Sequence, residues 1–369
     1  MAELPSSADV VIVGGGMTGT SALYYLARSG VPATLLERDL LSSGSTSKAA
    51  GGFRAQFSDE LNIKVMVEAI RRFERFDEEP GADIDLKQWG YLFLLKKDQL
   101  ASFEESVALQ KDHGVDVRMV SPAEALDIVP GLNVEDVAGG TFSPTDGYAT
   151  PAAAVQGYAM AARNLGATIV EDCEVHAIDV AAGRVSGVVT SRGVVSTSKV
   201  ICAGGIWTND LLVPIGIELP VTPEQRFVFL SEPGDPLPHR LPLTVDYSTG
   251  FYFHREGNGL VIAGRETTME DLAPAAVHRL PFLAETGVRP GWSGFYAVTP
   301  DHNAVLGRAS EPEGLFYATG FSGHGFMQGP VVGEYLANLA TDTEPIMDLS
   351  AFSADRFAAG NQRPELRVI

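Results

Sequence analysis

Cysteine and positive charge are both scarce in this chain of 369 residues. Its two cysteines, Cys173 and Cys202, form no C-x-x-C motif, so neither a disulfide framework nor a zinc site is predicted. Lys and Arg number 27 against 47 Asp and Glu, and the resulting net charge of −20 argues against binding to nucleic acid or to an anionic membrane. The sequence contains no apolar run of membrane-spanning length and no signal-peptide pattern at its start, so a cytoplasmic protein is expected.

Glycine, by contrast, is concentrated at a junction near the start of the chain. An apolar run over 10–13 opens into three consecutive glycines, and the segment 20–29 that follows has the pattern of a helix. Gly14, Gly16 and Gly19 occupy the positions of the G-x-G-x-x-G fingerprint. In that motif the glycines permit a tight turn, the close approach of a pyrophosphate and the packing of the helix on the strand. The helix N-terminus would add free N–H groups and a partial positive charge.

A second apolar run, 33–36, ends at Glu37, the position of a ribose-binding acid in dinucleotide folds. Strand, glycine turn, helix, second strand and acid together predict a dinucleotide-binding unit. These features do not by themselves distinguish NAD, NADP and FAD. Glu37 argues against NADP because a carboxylate would repel the 2′-phosphate, although Arg38 beside it weakens that argument.

Three more glycine-rich segments are expected near the same cofactor. The loop 41–54 is small and polar, with hydroxyl and backbone N–H groups that can bind phosphate. A strand runs into glycines at 202–207, and a later strand runs into 320–326 just before a helix predicted from about Met327 to Thr341. The second of these junctions would place another helix N-terminus beside the electron-rich end of a reduced flavin ring.

In this order and at these separations, the glycine-rich blocks resemble the D-amino-acid oxidase-like flavoprotein superfamily. The resemblance covers essentially the whole chain, and the block Gly320–Phe326 is its most specific part. The nearest branches are the sarcosine oxidases, glycine oxidase and the β subunit of dye-linked L-proline dehydrogenase. The implied fold class is α/β, with a discontinuous Rossmann-like FAD-binding domain and a second, mostly antiparallel β-sheet substrate domain. The first domain would comprise 1–85, 145–217 and 295–369, and the second 86–144 and 218–294.

The resemblance also implies which residues hold FAD. They are Gly14, Gly16, Met17, Thr18, Gly19, Glu37, Arg38, Ser45, Thr46, Ser47, Lys48, Gly52, Phe53, Val175, Ala203, Gly204, Trp207, Gly294, Gly320, Ser322, Gly323, His324, Gly325, Phe326 and Met327. Gly294 falls where monomeric sarcosine oxidases carry the cysteine that binds flavin covalently. FAD is therefore predicted to be non-covalent.

The implied reaction is oxidation of a C–N bond in a secondary amine or amino acid that is sarcosine-like, N-methylated or proline-like. A hydride would pass from carbon to flavin N5 and leave an imine. Tyr252 and Tyr296 match the two pocket tyrosines of the family, and Arg54 matches its basic motif. His324 is a candidate base, or a group that packs on the flavin and bonds locally.

This chain departs from the sarcosine oxidase pattern at three positions. Met327 and Phe57 stand where that family has basic residues that bind the substrate carboxylate, so the substrate need not carry one. Val261 stands near the oxygen-activating lysine, which favours a dehydrogenase with a dye, quinone-like or protein acceptor over a fast oxidase using O2. Over 270–290 the chain offers only a short helical segment, 274–286, so the pocket rim is expected either to be more open or to be completed by a partner chain.

Three alternatives stay open at this point. The protein could act on a primary amine, like glycine oxidase or D-amino-acid oxidase. It could be a flavin-binding electron-transfer subunit of a larger complex, within a homo- or hetero-oligomer. It could also bind NAD. A small-molecule amine or amino acid is the expected substrate in the preferred reading.

Overall fold

The computed structural model describes residues 2–369. The helices are α1 (Met17–Arg28), α2 (Glu60–Glu74), α3 (Leu100–Asp112), α4 (Pro122–Ile128), α5 (Pro151–Asn164), α6 (Thr208–Leu212), α7 (Met269–Arg279), α8 (Gly325–Ala340) and α9 (Asp355–Ala358). The strands are β1 (Val10–Val13), β2 (Ala33–Leu36), β3 (Gly52–Phe53), β4 (Tyr91–Leu95), β5 (Arg118–Val120), β6 (Gly139–Ser143), β7 (Gly147–Tyr148), β8 (Thr168–Val170), β9 (Val175–Ala181), β10 (Arg184–Thr190), β11 (Gly193–Ser196), β12 (Val200–Cys202), β13 (Thr222–Ser231), β14 (Leu243–Asp246), β15 (Tyr252–Glu256), β16 (Gly259–Ala263), β17 (Val288–Val298), β18 (Val305–Arg308) and β19 (Leu315–Thr319). Within residues 2–369, no helix is long and apolar enough to cross a membrane.

A six-stranded sheet in the order β18-β19-β12-β1-β2-β8 carries the glycine turn. It is parallel apart from β18, and all four residues of β1 are buried, as expected for a strand covered on both faces. Val10 and Ile12 pack towards α1, α5 and α8, whereas Val11 and Val13 pack towards the three-stranded sheet β11-β10-β9. In sheets of this kind, ligands bind at the carboxyl ends of the strands. Here those ends are held between two packed layers.

An eight-stranded sheet in the order β17-β13-β16-β15-β14-β4-β6-β5 forms the other large layer. Its strands are antiparallel except for the β14–β4 pair. Phe251 and Phe253 pack on the side of α7, while Tyr252 between them faces the opposite side, following the two-residue period of a strand. Tyr252, on that opposite side, lines the same cavity as Gly14 and Gly16 of the glycine turn.

The domain boundary predicted at 294/295 falls inside β17, whose last residues still pair with β13 as far as Val298. The division into two domains remains a prediction. Both large sheets draw on separate stretches of chain, since the six-stranded sheet combines strands from 10–36, 168–202 and 305–319.

The helical segment predicted over 274–286 was placed too late. Helix α7 begins at Met269, because the hydroxyl of Thr268 caps it by accepting from the backbone N–H of Asp271 at 3.2 Å. Pro274 therefore lies inside the helix and does not start it. A short 3-10 turn over Pro281–Ala284 completes the segment.

Candidate active site

The glycine turn joins β1 to α1 with no room for side chains. Gly14 has a φ of +110°, and a Cβ there would lie 2.4 Å from the carbonyl oxygen of Ala203 at the end of β12. A Cβ on Gly19 would lie 2.0 Å from the carbonyl oxygen of Gly14. Both clashes are with backbone, so these two positions need glycine for the strand ends and the helix to approach each other.

The N-terminus of α1 is open to a ligand. Its N-cap residue is Gly16, which offers no side-chain cap, and its first turn carries no acidic residue. Thr46 accepts from the N–H of Met17 at 3.2 Å and so brings the polar loop over this helix end. Uncapped N–H groups and the helix dipole favour an anion at this place.

Glu37 is fixed beside the same turn. Its two carboxylate oxygens accept from the backbone N–H groups of Gly15, at 2.6 Å, and Asp39, at 3.0 Å. The guanidinium of Arg38 lies 3.8 Å from the ring centroid of Trp207, a stacked arrangement at the same end of the site.

A long cavity extends from this end to the eight-stranded sheet. Of the residues predicted to hold FAD, the following line it: Gly14, Gly16, Met17, Thr18, Glu37, Arg38, Ser45, Thr46, Lys48, Val175, Ala203, Gly204, Trp207, Gly294, Gly323, Gly325 and Phe326. Tyr252 and Tyr296 form its far wall. The loop that carries Ser45 is tied to β17, since the Ser45 hydroxyl donates to the carbonyl of Phe295 at 2.9 Å.

A smaller second cavity adjoins the first at the two tyrosines. It is lined by the predicted residues Gly52, Arg54, Ser322, His324 and Met327, together with Tyr252, Tyr296, Gly323 and Phe326, which it shares with the long cavity. Four predicted residues line neither cavity: Gly19, Ser47, Phe53 and Gly320. Gly19 allows close backbone packing, Gly320 leaves room for the side chain of Thr299, and Phe53 is fully buried against Phe73. Their cofactor contacts remain predictions.

Arg54 is the cation of the second cavity and is 1% exposed. Its Nη1 donates to the carbonyl of Gln56 at 2.8 Å, and its Nη2 donates to the carbonyl of Arg367 and to Nε2 of His324, the latter at 3.3 Å. Since arginine can only donate, Nε2 of His324 accepts and the imidazole proton is on Nδ1. Within residues 2–369 the Arg54 side chain forms no salt bridge, and its Nε has no hydrogen-bond partner.

A buried carboxylate supports this arginine from behind. Asp146 accepts from the N–H of Ala55 at 2.9 Å and from Nε2 of Gln56 at 3.0 Å, and so fixes the two residues that directly follow Arg54. Burial raises the pKa of Asp146 to about 6, although these hydrogen bonds and the nearby Arg54 charge lower it. Sequence patterns did not point to Asp146, because its partners lie about 90 residues away in the chain.

The other polar groups of the second cavity are neutral. Burial raises the pKa of the Tyr91, Tyr252 and Tyr296 hydroxyls, so these groups keep their protons. Burial, with the neighbouring Arg54 charge, holds the pKa of His324 well below its ordinary value. A ligand in this cavity therefore meets one cation and several uncharged hydrogen-bonding groups.

Several residues that line the two cavities were missed by sequence reasoning, and four of them bear on the chemistry of the site. Arg226 on β13 lies opposite Gly294 in the strand pairing, and its guanidinium is 5.3 Å from the ring centroid of Tyr296. Tyr91, Leu243 and Ile369 line the second cavity. No local pattern marks Arg226, because its place beside the cavity is set by the pairing of β13 with β17. Arg265 is exposed, lines neither cavity and donates to the carbonyl of Val368 at 3.2 Å.

The residues of the long cavity fit a bound FAD. The crowded glycine turn needs glycine for its close backbone approach, the N-cap residue of α1 has no side chain, and a carboxylate lies at the end of the second strand. The cavity also continues from this turn to the second cavity, as a long dinucleotide with a separate reactive ring requires.

His254, a histidine on β15, predicts acid sensitivity. It is 2% exposed, its Nδ1 bonds to the carbonyl of Arg255 at 2.9 Å, and its Nε2 has no partner. Burial lowers its pKa from 6.5 to about 4, so the unfolded chain takes up a proton that the folded chain resists. Folding stability is therefore complete above pH 6.5 and is lost as the pH falls towards 4, by up to about 3 kcal/mol at about 1.36 kcal/mol per unit.

We expect His254→Gln to lose less stability than the wild type when urea unfolding is compared at pH 7 and pH 4.5. His176→Gln is the matched control, since its side chain is 50% exposed. Asp146 contributes with the opposite sign, losing stability as the pH rises from 3.8 to about 6, but it is present in every variant. Equal acid losses in the wild type and His254→Gln would contradict the assignment.

Fold and cavities together define a dinucleotide-binding oxidoreductase of the α/β class. Residues 9–339 match the FAD dependent oxidoreductase family, and the chain belongs to this family. The predicted resemblance, the fold class and FAD as cofactor are thereby confirmed.

Similar proteins cover nearly all of the chain. Human sarcosine dehydrogenase is 30% identical over 96% of it, but the match spans 42% of that protein, so the chain corresponds to less than half of this relative. FAD-dependent oxidoreductase domain-containing protein 1 of Xenopus laevis is 30% identical, with 96% of this chain and 83% of that one covered. Among solved structures, L-proline dehydrogenase from P. horikoshii superposes with a TM-score of 0.91 at 30% identity, covering 98% of this chain and 100% of that one. Glycine oxidase from Geobacillus kaustophilus superposes with a TM-score of 0.84 at 26% identity, and the match covers 95% of this chain and 99% of that one.

Proposed function

We propose that this chain catalyses the FAD-dependent oxidation of a C–N bond in a small secondary amine or amino acid. The observation that carries the proposal is the junction of the two cavities at Tyr252 and Tyr296. On one side lies a cavity that fits a dinucleotide, and on the other a small cavity with one cation and neutral polar groups. The names of relatives that act on sarcosine, proline and glycine support the same class of reaction.

Bound FAD supplies a two-electron acceptor for the hydride that leaves the carbon next to nitrogen. The chain's own residues bind and orient the amine. Tyr252, Tyr296 and Phe326 line both cavities, and so they bound the place where substrate and cofactor meet and exclude water from it.

The charges of the second cavity select the protonation state of the substrate. A hydride leaves readily only from a neutral amine, because the nitrogen lone pair must stabilise the developing iminium. The guanidinium of Arg54 borders the cavity, and the tyrosine and histidine groups beside it are uncharged, so an ammonium ion would lose its hydration next to a like charge. The substrate proton is therefore released to water on binding, and no residue is required as a base.

The hydrogen bonds of Arg54 bear on the question of a substrate carboxylate. A bidentate grip needs either Nε with Nη2 or Nη1 with Nη2, and Nη2 already donates to His324 and Arg367. Phe57, which stands where the family has a second basic residue, packs against the guanidinium at 4.1 Å. We infer that a carboxylate, if the substrate carries one, is held by single hydrogen bonds, and that simple secondary amines are substrates too.

Product analysis tests this function. With an artificial dye as acceptor, an N-methyl amine should yield formaldehyde and the demethylated amine in equal amounts, since the imine hydrolyses in water. Formation of NADH in place of reduced dye, or of no aldehyde with any amine offered, would refute the proposal.

FAD is expected to be released by acid. Gly294 has no side chain that could bond to the flavin, and a Cβ there would lie 2.5 Å from the Cβ of Lys48. Acid precipitation should therefore leave a colourless pellet and a yellow supernatant. A yellow pellet would show a covalent bond formed elsewhere in the cavity.

A dye acceptor is expected to outperform oxygen. Val261, near the position of the oxygen-activating lysine, is 1% exposed and packs with Val228 and Ala263, so no cation occupies that place. Arg226 faces the long cavity, but its charge is offset by Glu224 at 2.7 Å. Steady-state rates should thus be several-fold higher with dye than with air, and rapid peroxide release under air would contradict this expectation.

A further inference from the structure

The segment Glu365–Ile369 lies against the second cavity, and we call it the strap. It contacts three separate parts of the fold: the start of α2, the face of α3 and the eight-stranded sheet. Each contact is a specific hydrogen bond or stacking interaction, so the strap has one defined path across the molecule.

Its first anchor is Glu365, which is 1% exposed. Its carboxylate accepts from the backbone N–H groups of Ser58 and Asp59, both at 3.0 Å, and from the Ser58 hydroxyl at 2.8 Å. Asn62 donates to it as well, at 3.2 Å. These bonds hold the strap to the N-terminus of α2, where a negative charge is stabilised.

Its second anchor is Arg367, which is 3% exposed. The guanidinium lies 3.8 Å from the ring centroid of Phe103 and donates to the hydroxyls of Ser102, at 2.8 Å, and Ser106, at 2.7 Å. All three partners lie on α3. On the sheet side, the Tyr247 hydroxyl donates to the carbonyl of Leu366, and Arg265 donates to that of Val368 at 3.2 Å.

At its second anchor and beyond, the strap borders the second cavity. The carbonyl of Arg367 accepts from Nη2 of Arg54, and Ile369 lines the second cavity beside Tyr91, Leu243 and Met327. Ile369 also packs on the apolar cluster that contains Tyr91 and Leu243. Leu366, in contrast, is 55% exposed and points away from this cluster.

We propose that the strap determines the size of substrate that this enzyme accepts. Ile369 is the specificity-determining residue, because its side chain closes one wall of the cavity. Arg367 is a positioning residue that holds Ile369 in place through α3. The inference rests on the proposed function because it assumes that the substrates are amines. The position of Ile369 in the cavity wall does not depend on that assumption.

The test uses the FAD-loaded protein and a ladder of N-methylalkylamines from dimethylamine to N-methylhexylamine. Ile369→Ala should raise kcat/KM for the long amines relative to the short ones by about tenfold or more, since pocket methylenes change discrimination by about that factor. Arg367→Ala should shift the same ratio in the same direction. Leu366→Ala is the matched control on the same strap and should leave the ratio unchanged. Ile369→Val, a milder change, should shift the ratio less and serves if the alanine variant folds poorly.

A second readout needs no turnover. Methyl alkyl sulfides of matching length are bound to the FAD-loaded protein, and their binding is measured from the change in flavin absorbance. Tighter binding of long sulfides to Ile369→Ala than to the wild type supports the role of Ile369 as a cavity wall, even if no amine is oxidised. In that case only the proposed function is refuted. An unchanged length preference for both amines and sulfides in the Ile369 variants overturns the inference. So does a shift of equal size in Leu366→Ala.

Discussion

Gly14→Ala is expected to abolish FAD binding. The residue has a φ of +110°, and its Cβ would lie 2.4 Å from a carbonyl oxygen of β12, so the substitution must push two parallel strands apart where the pyrophosphate binds. We expect affinity for FAD to fall by at least a hundredfold, or about 3 kcal/mol. Flavin content after purification and fluorescence titration of the apoprotein measure the loss.

Gly30→Ala is the control for this substitution. Gly30 also has a positive φ, +75°, but a Cβ there meets no atom within 4 Å. It should lower the free energy of unfolding by about 1 kcal/mol and leave FAD binding intact. Wild-type flavin content in Gly14→Ala would contradict the assignment of this turn to the cofactor.

Arg54→Met should slow the reduction of bound flavin by an amine by about 10²-fold, because the variant loses hydrogen bonds that fix the cavity wall and so misplaces the substrate relative to the flavin. Methionine keeps much of the apolar volume between Phe57 and Phe93 but removes the cavity's cation. It also leaves the carbonyls of Gln56 and Arg367 without their donor. Anaerobic stopped-flow mixing with saturating amine separates this effect from any change in FAD content.

Arg38→Met is the matched control, because Arg38 stacks on Trp207 at the opposite end of the long cavity. We expect it to weaken FAD binding and to leave the reduction rate of the FAD-saturated protein unchanged. Equal reduction rates in Arg54→Met and the wild type would remove Arg54 from the substrate site.

Local patterns predicted the glycine turn and the bounds of several elements in both halves of the fold. The glycine turn and the bounds of α4 (Pro122–Ile128) and β19 (Leu315–Thr319) follow from apolar runs, Pro and Gly signals that act over a few residues. A single strand is predicted over 194–202, yet the chain forms β11 and β12. The break arises because the Thr197 hydroxyl bonds to both backbone groups of Lys199 and so competes with the strand ladder.

The substrate half depended on the family resemblance and on long-range packing. Arg54 and His324, which are 270 residues apart in sequence, could be placed together only through their matches to the family. Arg367 contacts Arg54 although the two residues are 313 positions apart in the sequence. No motif or composition pattern around Arg367 marks it as part of a site. The same reason explains why sequence reasoning missed Arg226, Tyr91 and Ile369. Whether a side chain lines a cavity depends on the residues that pack opposite it, and these are distant in the sequence.

Anaerobic mixing of the FAD-loaded protein with a panel of secondary amines, primary amines and amino acids tests the central claim most directly. The account predicts that small secondary amines bleach the oxidised flavin band completely, with one aldehyde formed per flavin. The second-order rate constant should rise with pH through the pKa of the amine, because only the neutral amine is bound productively. Flavin that stays oxidised with every amine, or whose reduction is fastest where the amine is fully protonated, would contradict it.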